Sequence, residues 1–141
     1  MKAEREVTSL KSNRLPYGYH REVQAPFEET VDKAKKALSA EGFGVLTEID
    51  MKEKFREKLD VEFRKYVILG ACNPSLAHNA LEADFDIGLL LPCNVIVYEN
   101  GNVTSVAAID ASRMLSIAEN KELEETAATV NEKLKKAIDS V

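Results

Sequence analysis

No stretch of this chain is apolar for long enough to cross a membrane as a helix, so no membrane-spanning helix is expected. Nor is a secretory leader expected at the start. "MKAEREVTSLKSNRLPYGYH" carries Lys2, Glu4, Arg5 and Glu6 where a signal peptide needs an apolar centre. A cytoplasmic protein without membrane contact is expected. There is no Lys/Arg block, and 19 basic against 24 acidic residues leave a net charge of −5, so nucleic acid is not an expected partner. Also absent are GxxxxGK, GxGxxG after a strand, GxSxG and HExxH, which argues against the commonest nucleotide-binding and hydrolase classes. Cysteine is scarce: there are two, with no Cys-x-x-Cys spacing. In a reducing compartment both are expected as free thiols, open to chemistry.

The 141 residues present suit one core. Residues 1–16 mix charge with Ser and Asn and read as an arm or edge strand, ahead of one domain over 17–141. "YGYHREVQ" alternates, with Tyr17, Tyr19, Arg21 and Val23 on one side, and predicts a strand in which His20 is solvated or paired with a carboxylate. "APFEETVDKAKKALSAEGFG" predicts a helix with Pro26 at its first position and Phe27, Val31, Ala34 and Leu38 as its apolar stripe. Gly42 suits the left-handed residue that ends it. A strand, "FGVLTEID", leads to a short helix capped by Asp50, and "FRKYVILGAC" reads as a buried strand. "NVIVYENGNVTSVAAID" is a hairpin turning at Asn100 and Gly101. Residues 121–140 form the clearest helix, with Leu123, Ala127, Val130, Leu134 and Ile138 in register. A hairpin within this order excludes a purely parallel sheet, leaving an α+β fold with helices on one face of a largely antiparallel sheet.

The chemistry concentrates in "YVILGACNPSLAHNALEADFDIGLLLPCNVIVYE", which holds both cysteines, each followed by an asparagine. Asn73 is a good N-cap and Pro74 fits the first position of a helix, so Cys72 lies just before a helix N-terminus, where the dipole favours a thiolate. His78 lies about one turn further in. Pro92 cannot donate a ladder hydrogen bond and marks a bulge, edge or bend beside Cys93, while Asn94 must find partners if buried. Glu82, Asp84 and Asp86 read as a solvated loop, with too few ordered oxygens for an EF-hand.

Three accounts of this constellation compete. Cys72 and Cys93 are small core residues, with Asn73 and Asn94 serving caps and turns. Alternatively Cys72 is a nucleophile or sulfur carrier with Cys93 as its resolving partner, in redox or sulfur-transfer chemistry. The last account is a soft-metal site, zinc or another, using Cys72, His78 and Cys93. The leading functional expectation is a dimeric domain that binds a small ligand or metal at Cys72, Asn73, His78, Cys93 and Asn94. A module without a ligand, dimerising through the apolar strand around Leu89 to Val97, is the non-catalytic rival.

"YVILGACNPSLAHNAL" with "DIGLLLPCNVIVYE", and "GFGVLTEIDMKEKFREKLDVEFRKY" before them, closely resemble the Domain of Unknown Function 302 family. The resemblance runs from about Tyr17 to the final helix, and its pattern falls on Gly70, Cys72, Asn73, Pro74, Leu76, Ala77, Pro92, Cys93 and Asn94. It implies a curved antiparallel sheet with helices on one side, of the TATA-binding-protein-like kind, and a homodimer. It implies no activity. One departure is visible: the family tends to have Asp-Pro after the last strand, and this chain has Asp110 followed by Ala111. A fold shared with a DNA-binding protein does not confer DNA binding, and the acidic charge opposes it.

Overall fold

The computed structural model describes residues 14–141. Of the expected arm, Arg14–Leu15 forms the short strand β1, and residues 1–13 lie outside the described residues. The order continues β2 (Gly18–Val23), α1 (Phe27–Ala40), β3 (Gly44–Asp50), α2 (Met51–Leu59), β4 (Tyr66–Cys72) and α3 (Pro74–Ala83). It ends with β5 (Cys93–Asn100), β6 (Val103–Ile109), α4 (Ala111–Ser116) and α5 (Glu124–Asp139). The strands form one open sheet in the order β1-β2-β6-β5-β4-β3, antiparallel throughout. All helices pack on one side, the expected α+β arrangement.

Strand alternation decides which side chains meet the helices. Val67, Leu69 and Ala71 of β4, Cys93, Val95 and Val97 of β5, and Val106 and Ala108 of β6 point inward and are buried. Against them lie the stripes of α1 (Val31, Ala34, Leu38) and α5 (Val130, Leu134, Ile138). Arg21, also on this face of β2, donates to the carbonyls of Asp139 at 2.9 Å and Val141 at 2.6 Å, placing a cation at the negative end of α5. A smaller apolar cluster, Ala80, Ile87, Leu115, Leu123 and Ala127, joins α3, α4 and the start of α5. Leu91 and Met114 touch both clusters.

Several local expectations shift. Pro26 stands one residue ahead of α1 in extended backbone, and its carbonyl accepts from the Thr30 amide and hydroxyl. The apolar run before Pro92 is not yet strand: residues Phe85–Leu90 form a 3-10 helix and β5 begins only at Cys93. Asp84 is not a plain loop residue, since its carboxylate caps that turn by accepting from the Asp86 amide. Ala111, the departure from the family pattern, donates its amide to Asn131 Oδ1 at 3.0 Å; proline has no such proton to give. The strand expected to build a dimer is interior, because β5 is paired along both edges with β4 and β6 and Val95 and Val97 face the core. An edge contact through it is closed; only its outward residues remain available.

Candidate functional site

β4 ends and β5 begins at the same end of the sheet, with Ala71 opposite Cys93 and Cys72 one residue further along. From there the chain turns directly into α3. The Asn73 Oδ1 accepts from the Leu76 amide at 3.3 Å and the Asn73 carbonyl accepts from the Ala77 amide, so the first turn is closed at once. Pro74 occupies the first helical position, where its missing proton costs nothing. The Asn73 Nδ2 donates to the Glu41 carbonyl at 3.4 Å, tying the end of α1 to the start of α3. Gly42 completes that joint with φ of 86°, and a Cβ there would stand 2.9 Å from the same Nδ2.

Between the sheet end and the helices lies a cavity of about 270 Å³. Both cysteines line it. Its deep wall is made by Phe43, Ala80, Leu115 and Val130, and its sides by Leu76, Ala77, Leu81, Leu91 and Pro92. Leu46, on the irregular step in β3, and Gly88 line it too and are exposed, which marks the mouth. The cavity opens at the seam where the two apolar clusters meet, and Asn73 and Thr126 are its polar members beside the thiols.

The two thiols differ. Cys72 is half-buried, whereas Cys93 is 5% exposed. Burial, helped by the charge of Cys72 nearby, pushes the Cys93 thiol up to about 11, so at neutral pH it is protonated. The two are not bonded to each other.

The remaining expected residues lie elsewhere. His78 is on the solvent side of α3, 73% exposed, with Nε2 3.7 Å from the Glu82 carboxylate. It does not line the cavity, and among the described residues no three His, Cys, Asp or Glu side chains converge as a metal site would require. Asn94 points to the opposite face of the sheet, where it borders a separate hollow of about 140 Å³ with Ile96 and Ala107. A larger hollow of about 440 Å³ runs between α4 and α5, past Ser112, Ser116 and Glu119, and contains neither thiol nor histidine.

His20 is a correction. It is 4% exposed rather than solvated, and its Nε2 has no hydrogen-bond partner among the described residues. Desolvation holds its imidazole below the usual range, with the Glu22 charge opposing. It lies on the helix-free face in a cross-strand row with Ala107, Ile96, Ile68 and Ile49, and Ala107 beside it is likewise buried. Nearby Ser105 is fully buried and its hydroxyl has no partner among the described residues, and Tyr66 stacks on Tyr98 with centroids 5.2 Å apart. Thr126, Leu91, Phe43 and Leu115 are among the cavity residues that sequence reasoning missed. Thr126 carried a signal: it falls three residues after Leu123 and four before Val130, within the buried stripe of α5.

A family model for a domain of unknown function, DUF302, matches residues 19–141. The crystal structure of an uncharacterized conserved protein DUF302 from Bacillus stearothermophilus aligns with a TM-score of 0.83 at 29% identity, over 89% of this chain and 98% of that one. No curated protein matches.

Proposed function

The chain belongs to the DUF302 family, and from its geometry we propose that it binds a small apolar ligand in the cavity between the sheet end and α3. The observation that carries this reading is that both cysteines, 21 positions apart in sequence, line one apolar cavity of about 270 Å³ with an exposed mouth. Apolar enclosures with few polar groups are what small ligands occupy. Asn73 is committed to its cap and to Glu41, so the groups free to orient a ligand are the Cys72 thiol and the Thr126 hydroxyl.

Titration with an environment-sensitive apolar dye, phenylnaphthylamine, tests this directly. The parent should give saturable fluorescence at one site per chain, and Ala77→Phe, which fills the cavity from α3, should remove it without lowering stability. Equal dye binding by both would sink the reading.

The helix-free face supports a second reading, assembly with another copy of the chain. Ile49, Ile68 and Ile96 form a cross-strand apolar row there that is not fully buried, and rows of this kind are covered when sheets pack face to face. Sedimentation equilibrium of the parent against Ile96→Lys checks it: a dimer that the lysine dissociates is expected, and a monomeric parent at micromolar concentration would exclude it.

A further inference from the structure

We propose that the cavity accepts an unbranched acyl chain and that Cys72 takes this chain from an acyl thioester, becoming S-acylated. The inference rests on the apolar-ligand reading and names its ligand. Size is the first argument. At about 30 Å³ per heavy atom, the share of a water molecule in the liquid, 270 Å³ accommodates an octanoyl group.

The placement of the thiols is the second. Cys72 is half-buried and lines the cavity, while Cys93 is 5% exposed, lines the same space and has no hydrogen-bond partner among the described residues. A buried thiol left without a partner suits a wall that meets methylene groups, since it loses no hydrogen bond to them. Cys93 is held protonated and is no competitor for the carbonyl. The rim is the third. Leu46 is 67% exposed at the mouth. A large apolar side chain left in water at an apolar opening offers a donor's chain a surface on which to shed water before it enters.

The step is an exchange between thioesters. The Cys72 sulfur bonds to the acyl carbonyl carbon, the carbon–sulfur bond of the donor breaks, and the Cys72 proton ends on the departing thiol. Nothing is oxidised or reduced. One thioester replaces another, so only the donor itself is needed.

Octanoyl-coenzyme A and acetyl-coenzyme A are the probes, read by intact mass, with octanoate displacement of phenylnaphthylamine measured in parallel. One octanoyl group per chain is expected, removed by neutral hydroxylamine, absent in Cys72→Ser and retained in Cys93→Ala. Transfer should favour octanoyl over acetyl by roughly tenfold or more, because the longer chain takes more methylenes out of water. Ala77→Phe and, at an exposed position, Leu46→Lys should each erase that preference while iodoacetamide still labels Cys72. Octanoate displacing the dye without acylation would overturn the transfer and leave the apolar-ligand reading standing. Acylation with no chain-length preference, or none lost in both variants, would also overturn it, as the mark of an ordinary accessible thiol. Absence of both dye binding and acylation would remove the two together.

Discussion

Asn73 performs two structural tasks with one side chain, and they can be separated. Its Oδ1 caps α3 and its Nδ2 holds the Glu41 carbonyl. Asn73→Ala should lose about 1 kcal/mol as a lost cap, and Asn73→Asp, which keeps the acceptor, should lose less; urea unfolding of both checks this. At Cys93 the raised thiol predicts unequal labelling. Iodoacetamide at neutral pH should modify Cys72 in the folded protein and Cys93 only as fast as the chain unfolds. His20 gives a pH dependence whose sign follows from burial. The folded imidazole binds its proton less readily than the free one, so the unfolded chain takes up more protons as pH falls through about 6.5. Stability is therefore complete above that value and declines below it, until the folded form also protonates. His20→Leu should flatten this part of a melting-temperature profile; an unchanged slope would place its origin in another group.

At the scale of elements, two close approaches hold the site end together. Gly70 of β4 faces Thr47 across one ladder and lies under the Pro92 ring, and a Cβ there would come within 2.8 Å of Pro92 Cγ. Gly70→Ala should cost about 1–3 kcal/mol by overpacking. Gly42→Ala strains the left-handed turn after α1 and presses on Asn73 Nδ2, for about 1–2 kcal/mol. It should also loosen the start of α3, visible as faster amide exchange at Leu76 and Ala77, whereas Gly70→Ala should act on β3 and β4. Most elements were readable because local rules agreed: the α5 stripe and the Asp50 cap of α2 form as expected, and the hairpin forms with its two-residue turn at Gly101 and Asn102, one residue later than expected. α4 and the 3-10 turn over Phe85–Leu90 were not. Each is about six residues long, too short for a helical stripe to repeat, and each is fixed by an Asp carboxylate accepting a backbone amide.

For the whole molecule, the cavity lies where two apolar clusters meet without closing. Were it only imperfect packing, filling it would be a gain, and Ala77→Phe would raise the melting temperature and change nothing else. A binding cavity behaves differently: the same substitution abolishes dye uptake, and a bound apolar probe raises the melting temperature of the parent alone. The two outcomes are distinct in a single thermal-shift series. No helix among the described residues is long and apolar enough to cross a membrane.

The sequence by itself determined the kind of fold, the order of the main elements, the cap and proline that start α3, and the stretch in which the cysteines matter. These rest on periodicity and backbone chemistry acting over a few residues. Only the tertiary structure decided which of the five expected residues meet. Cys93 faces inward from the start of β5, and Cys72 and Asn73 line the same cavity where the chain leaves the end of β4 for α3. His78 turns outward on the free side of α3, and Asn94 falls on the far face because one residue along a strand reverses the side chain. His20 was misread because alternation places it on the helix-free face, and only the tertiary structure shows that this position is buried.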